Sequence, residues 1–554
     1  EVPSSSGGRR EPVLEAAGGG VTICDVYLRS GQRHGLIVEP CDEDDVRAHV
    51  VDFADQIAQR EGDEGAANDG RGISQEMGRA VRNMAGLRVK RERGANGKSI
   101  HRDDAEDLFE KSASSQEFVV EVLSLMQIHR RYRREIWYDP STGKSSMAWL
   151  KETFEQVNNG RHPEFSIPSR IEVVVPQRMP GPESLCVRIV DTRGIDDTAA
   201  RADLDRHMDD PHTLVLLCSS FNDAPCAAAF QVLERAKQAG VRGLEVNTAI
   251  LVLPRVDEAL AVKDESGVRA KTTEDGYEIK EESALDALNR LGLRSVKLRF
   301  FNAFTDEPNG VHDLISERLG GIREAFRASI KDAIIGSRSL LLNHKKESVQ
   351  DASRRAGQMI KTWIGNNRSV PTLSQHVQDN LIAEILRVYA ATVKASVRRE
   401  GKWSKLDYVH SLGRGTRQLA VSALGPRVSA FKSMTETMEA NADYGQARGL
   451  IRQARSVLDS AYEGMLHELE AKGKESFKEA LRLDRSLWGK CEREQGRGYR
   501  DRVAQLNRDW FSAEPRKTLE GELLSYAAQE WVGALERLAS LVGADNAIAT
   551  VQPI

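Results

Sequence analysis

The sequence has few cysteines, no long apolar run and almost no net charge, and each of these deficits excludes a class of protein. Six cysteines are scattered over 554 residues without a CxxC pair, so we expect a reducing, cytoplasmic compartment rather than a disulfide framework or a zinc site. No apolar stretch approaches the roughly 18 residues that span a bilayer, and no signal peptide opens the chain, so we expect neither an integral membrane nor a secreted protein. A formal charge of −4 argues against attraction of the whole molecule to nucleic acid or anionic lipid.

What remains is a chain of ordinary globular composition, with 40% hydrophobic and 29% charged residues. Its length is sufficient for two or three domains. The chain starts at Glu1 in a Ser/Gly-rich stretch, and we expect it to be a fragment whose native N terminus lies upstream.

The first part of the chain predicts two strands followed by a long helical segment. Residues 21–31 alternate apolar and polar side chains, and residues 34–40 follow a Ser-Gly turn, which predicts a hairpin. From Asp42 the period becomes helical and remains so to about Asn159. We therefore expect a helical insertion at about residues 43–160 that projects from the core.

The pattern then changes to that of an α/β domain. The segments IEVVVP and SLCVRIVD, from residue 171 onward, are separated by a Pro/Gly turn and predict a second hairpin. Residues 213–220 and 248–254 are short apolar runs typical of strands buried in a parallel sheet, with a helix between them. A further strand is predicted at residues 296–304. This alternation predicts a doubly wound sheet of the P-loop NTPase type.

Beyond residue 311 the sequence predicts only helices. Residues 450–469 keep one helical face apolar over five turns, and similar stripes occur at 379–399 and 519–538. The glycine-rich segment 412–416 is interpreted as a turn between helices. We therefore predict an α/β domain at residues 1–320 and an all-α helical bundle at residues 321–554.

The strongest chemical signal is the sequence Asp191-Thr-Arg-Gly194, which directly follows an apolar strand. A nucleoside triphosphatase needs a carboxylate at this place to hold Mg²⁺, usually through water. It also needs a glycine whose amide approaches the γ-phosphate without a Cβ in the way. The alternative is a strand-to-turn junction without a catalytic role.

Two later strand ends support the nucleotide interpretation. In guanine-nucleotide proteins the corresponding strand ends in (N/T)KxD, and its Asp accepts two hydrogen bonds from guanine N1 and N2. Asp257 keeps that carboxylate, Arg255 stands where the lysine stem would stack, and Pro254 replaces Asn or Thr. Asn302-Ala303 follows the next strand, where these proteins place (S/T)A beside the base O6. Because Pro254 breaks the best base signature, the sequence leaves ATP as an alternative to GTP.

These motifs, in this order and followed by a helical C-terminal part, resemble the dynamin-like large GTPases. The resemblance implies GTP as substrate, Mg²⁺ as cofactor, and self-association or partner binding through the C-terminal helices, with peripheral membrane contact also compatible. By the same resemblance, Thr22 after Gly18–Gly20 is similar to the switch I threonine that ligates Mg²⁺. The alternative is that Thr22 simply begins a strand.

The phosphate-binding motif GxxxxGK(S/T) is missing from its expected place before Thr22. We expect it to lie upstream of Glu1. A second possibility is Gly143-Lys144-Ser145, but the first glycine of the motif would then fall at Tyr138, which closes the nest that phosphates need. A third is that no functional P-loop exists. The alternative to a GTPase is accordingly a degenerate GTPase-like scaffold that acts as an interaction module.

Overall fold

The structure, a computed structural model, is mixed α/β with small sheets and a large helical part. The chain divides into two compact units, residues 1–195 and 196–554. The division expected near residue 320 falls inside one continuous helix, Asn309–Asn343. The described residues are 2–3, 10–11, 23–60, 73–93, 99–192, 201–224, 227–255, 257–264, 266–302, 305–343, 347–371 and 376–543.

The first unit is built around a five-stranded sheet of order β7-β4-β8-β3-β9. Strands β3 and β8 are parallel, and the other three neighbouring pairs are antiparallel. Two further pairs of strands, β1 with β2 and β5 with β6, form separate ribbons. The strands are β1 Val2–Pro3, β2 Arg10–Glu11, β3 Asp25–Ser30, β4 Gly35–Pro40, β5 Val89–Arg93, β6 Ser99–Asp103, β7 Glu135–Trp137, β8 Pro168–Val175 and β9 Arg188–Asp191.

Both predicted hairpins are wrong, although their strands exist. Strand β8 lies between β3 and β4, and β3 lies between β8 and β9. The reason is the apolar content of β8, in which Ile171, Val173 and Val174 are at most 1% exposed. A strand this apolar is most stable in the middle of a sheet, where its backbone pairs on both edges and neighbouring side chains help to shield its faces from water.

The predicted insertion is largely helical, but it packs on the sheet instead of projecting from it. Phe53, Phe118 and Phe154, from three of its helices, share one buried core with Val26 and Ile171 of the sheet. Because these helices have apolar faces, covering the sheet removes both apolar surfaces from water. The helices are α1 Glu43–Arg60, α2 Gln75–Ala85, α3 Asp104–Lys111, α4 Ser115–Met126 and α5 Ser146–Asn158.

The second unit begins with a three-stranded parallel sheet of order β10-β11-β12. Its strands are β10 Val215–Ser220, β11 Thr248–Leu253 and β12 Lys297–Phe300. The central strand β11 is buried over its first five residues, as its apolar run predicts. Helix α6 Ala202–Asp209 precedes the sheet, and the helices between its strands are α7 Ala227–Gln238, α8 Leu244–Asn247, α9 Glu258–Ala261 and α10 Thr273–Arg290.

The rest of the second unit is helical apart from a ribbon of two short strands, β13 Lys402–Trp403 and β14 Leu406–Asp407. The stripe predicted at residues 450–469 lies on α16, where Leu450, Leu458 and Leu469 are buried. Within the described parts of the chain, no helix is both long enough and apolar enough to cross a bilayer. The helices are α11 Asn309–Asn343, α12 Glu347–Asn366, α13 Asp379–Arg387, α14 Ala390–Arg398, α15 Tyr408–Ala440, α16 Arg448–Leu483, α17 Ser486–Glu492, α18 Tyr499–Phe511 and α19 Glu514–Gly543.

The turn predicted at residues 412–416 is also wrong, because this segment lies inside helix α15. Its glycines serve close packing. A Cβ on Gly413 would lie 2.8 Å from the carbonyl oxygen of Glu470, and one on Gly415 would lie 2.1 Å from that of Val377. Glycine is needed here because it lets neighbouring backbones approach one another, and that benefit outweighs its lower helix propensity.

Candidate functional site

The residues predicted to form one nucleotide site fall in two units of the chain. Asp191 belongs to the first unit, whereas Arg255, Asp257 and Asn302 belong to the second. Thr22, Gly194 and Ala303 lie outside the described residues, so their roles stay predictions.

Asp191 is the last residue of strand β9 and pairs with Val26 of the neighbouring strand β3. Burial raises the pKa of Asp191, and the negative charge of Asp25 raises it further. One carboxylate oxygen of Asp25, Oδ1, is buried and has no hydrogen-bond partner among the described residues. Asp25 begins strand β3 and Asp191 ends the antiparallel strand β9, so both carboxylates belong to the same end of this pair of strands. Among the described residues, no group of three or more His, Cys, Asp or Glu side chains could hold a metal ion.

The base-recognition candidates lie at one edge of the three-stranded sheet. Arg255 and Asp257 follow strand β11, and Asn302 follows β12, its parallel neighbour. Parallel strands bring their carboxyl ends to the same edge, which is where open α/β sheets bind ligands. Arg255 and Asp257 are exposed there, and the side chain of Asn302 is buried.

Asp257 has an unusual backbone conformation, with φ 65° and ψ 0°. This left-handed region favours glycine, and a non-glycine residue held there is often found at a functional position. Asp257 is the third residue of a four-residue turn that is closed by a hydrogen bond from the Glu258 amide to the Arg255 carbonyl oxygen (3.3 Å).

The side chain of Glu258 joins two loops at this edge. Its Oε2 accepts a hydrogen bond from the Arg255 amide (2.7 Å), and its Oε1 accepts one from Asn222 Nδ2 (2.9 Å). Asn222 follows strand β10, and its carbonyl oxygen accepts a hydrogen bond from Lys280 Nζ of helix α10 (2.9 Å). We call this arrangement of Asn222, Arg255, Glu258 and Lys280 the edge link.

The loop after β12 is also held by a carboxylate. Asp306 Oδ2 accepts a hydrogen bond from the Asn302 amide (2.8 Å), and the Asn302 carbonyl oxygen accepts one from the Asp306 amide (2.9 Å). Tyr277 of helix α10 stacks on Phe300, with ring centroids 4.6 Å apart. Burial raises the pKa of Tyr277, and Asp306 and Glu274 raise it further.

The second P-loop possibility, Gly143-Lys144-Ser145, has the geometry of a helix cap. Ser145 is the N-cap of α5, and its side chain accepts a hydrogen bond from the Ala148 amide. Lys144 forms an ion pair with Glu152. The preceding strand β7 is an antiparallel strand at the sheet edge, whereas a P-loop follows a strand of a parallel sheet.

The sequence analysis missed a cluster of buried charges in the second unit. Arg414 is 1% exposed and contacts Asp209 and Glu470. Asp205 contacts His410 (2.7 Å) and Arg235 (3.3 Å). The available signal was the spacing of the two aspartates: they are four residues apart in one helix and so share a face.

Comparisons with known proteins leave the family open. Neither a protein-family model nor a curated protein matches the chain. Two solved structures of an oligomerised bacterial dynamin pair, described as a mechanism for long-range sensing and tethering of membranes, are similar at 10% and 9% identity. In both cases the match covers 95% of this chain and 80% of the other, with TM-scores of 0.23 and 0.19.

Proposed function

We propose that this protein is a dynamin-like P-loop GTPase whose nucleotide state controls assembly or partner binding by its helical part. The proposal is carried by the observation that Asp257, with its exposed carboxylate, and Asn302 follow two neighbouring parallel strands, β11 and β12, at the carboxyl end of the sheet. The left-handed backbone of Asp257, which aspartate adopts more readily than most non-glycine residues, presents its exposed side chain from this turn.

Each residue at this edge has a chemical role in the proposal. The carboxylate of Asp257 accepts hydrogen bonds from guanine N1 and N2, and the stem of Arg255 stacks on the base. Asn302-Ala303 lies beside O6. An adenine offers no such pair of donors to Asp257, so the arrangement favours GTP over ATP.

The hydrolytic part of the proposal rests on Asp191, with Gly194 and Thr22. Asp191 would hold Mg²⁺, together with Thr22, and the Gly194 amide would contact the γ-phosphate. The bound Mg²⁺ supplies positive charge that neutralises the phosphates.

The experiment compares the binding of GTP, ATP and xanthosine triphosphate to the whole chain. We use ligand-observed NMR because this method also measures weak binding. We expect GTP to bind better than ATP. Asp257→Asn should weaken GTP binding by about 30- to 1000-fold, the equivalent of two hydrogen bonds to a carboxylate, and favour xanthosine triphosphate. Asp286→Asn, an exposed acid of helix α10, is the matched control. Equal affinity of the parent protein for GTP and ATP contradicts the guanine proposal.

A degenerate GTPase-like scaffold is the second candidate, and the helix-cap geometry of Gly143-Lys144-Ser145 is compatible with it. Lys144 pairs with Glu152 at the start of helix α5, an arrangement typical of a helix cap. Complete absence of nucleotide binding and of phosphate release would select the scaffold.

A further inference from the structure

The edge link has a feature that the proposed function does not use: a single carboxylate fixes the turn that presents Asp257. The Arg255 amide donates to Glu258 Oε2, and the Glu258 amide donates to the Arg255 carbonyl oxygen. The turn is therefore closed from both sides around Asp257. This double closure helps to hold Asp257 in its left-handed backbone conformation.

The same carboxylate also connects this turn to the neighbouring strand. Glu258 Oε1 accepts from Asn222 Nδ2, and Lys280 Nζ donates to the Asn222 carbonyl oxygen. The loops after β10 and β11 and the helix α10 are thus joined by three consecutive hydrogen bonds. Burial lowers the pKa of Lys280, while the charge of Asp223 acts in the opposite direction.

We propose that Glu258 is a positioning residue for base recognition. It holds the Asp257 carboxylate in the position and orientation in which it accepts hydrogen bonds from guanine N1 and N2. The inference rests on the proposed function. Both partners of the Glu258 side chain are N–H donors, so the site needs two acceptors, and only a carboxylate supplies both. In Glu258→Gln one acceptor is replaced by an NH₂ group that faces another donor.

The test measures the affinities of GMP and AMP for the whole chain by saturation-transfer NMR, together with the unfolding midpoint in urea. We expect Glu258→Gln to reduce the preference for GMP over AMP by about 10-fold, the equivalent of one lost hydrogen bond to a charged group. The unfolding midpoint should change little, because the link is at the surface. The matched control is Glu245→Gln, since Glu245 accepts a hydrogen bond from the Ser295 amide ahead of β12, at the opposite edge of the same sheet.

A double variant separates positioning from a general loss of structure. In Asn222→Asp/Glu258→Gln the donor and the acceptor of the bond between the two side chains are exchanged, so the link can re-form. We therefore expect the double variant to recover most of the preference for GMP.

The outcomes distinguish this inference from the proposed function. If the parent protein does not prefer GMP over AMP, the proposed function fails and this inference fails with it. If the parent prefers GMP and Asp257→Asn removes the preference, but Glu258→Gln retains it, only the positioning role is wrong. Equal losses of GMP and AMP binding in Glu258→Gln, with a lowered unfolding midpoint, would also overturn it.

Discussion

Replacing Arg414 by methionine should strongly destabilise the second unit. The Arg414 side chain is 1% exposed, and its Nη2 donates to Asp209 Oδ1 at 3.1 Å. Its Nη1 lies 3.3 Å from Glu470 Oε2, and its Nε lies 3.8 Å from Asp205 Oδ2. Methionine fills much of the same volume but carries no charge, so the substitution leaves carboxylates in a low-dielectric region without their main counter-charge.

The magnitude follows from the cost of breaking a buried ion pair from one side. Such changes cost about 3–5 kcal/mol, because the remaining charge stays buried and uncompensated. Arg417 remains 3.5 Å from Glu470 and 3.7 Å from Asp209, and Arg235 and His410 remain beside Asp205. Because these groups retain part of the compensation, we expect a loss at the lower end, about 3 kcal/mol in the free energy of unfolding.

Urea unfolding followed by tryptophan fluorescence measures this loss. Five of the seven tryptophans (363, 403, 488, 510 and 531) lie in the second unit, so the signal reports mainly on it. The matched control is Arg482→Met, since Arg482 pairs with Glu479 at the protein surface, where their side chains are 64% and 55% exposed. The control should not differ measurably from the parent. A midpoint for Arg414→Met as high as that of the control would refute the reasoning.

Three further predictions follow from single groups. Burial alone would raise the pKa of Glu470, but Arg414 and Lys474 hold it at about 2. Because an unfolded glutamate titrates near 4.3, the contribution of Glu470 to stability should be lost as the pH falls from about 4.5 to 2. In Glu470→Gln the urea unfolding midpoint should therefore depend less on pH over that range than in the parent protein. Lys144→Ala should leave nucleotide binding unchanged and should change the free energy of unfolding by less than about 0.5 kcal/mol, since Lys144 is an exposed residue at a helix start. A collapse of GTP binding would identify Lys144 as the P-loop lysine. Asp257→Gly should raise the free energy of unfolding by up to about 1 kcal/mol, because glycine adopts the left-handed backbone without a steric cost. The same variant should lose any preference for GTP. A lower thermal unfolding midpoint than that of the parent protein would contradict this account of the backbone.

The sequence alone determined most of the elements, including the strands that precede Asp257 and Asn302. The apolar runs at β10 and β11 predict parallel strands because both faces of such strands must be buried. The stripe on α16 predicts a helix because its buried residues recur at helical spacing. Asp257 and Asn302 each follow a predicted strand, and a helical connection between two strands favours their parallel pairing, which the structure shows for β11 and β12.

Tertiary structure decided what depends on residues far apart in the chain. The central place of β8 follows from its burial against helices of the insertion, and local turn signals cannot report this. Gly413 could not be recognised as a packing residue, because its need for a small side chain comes from Glu470 on another helix. The buried charges of Arg414 and the bridge made by Glu258 likewise join partners that the sequence separates widely. A local pattern records which face of an element avoids water, whereas the identity of the partner on that face depends on how the whole chain packs.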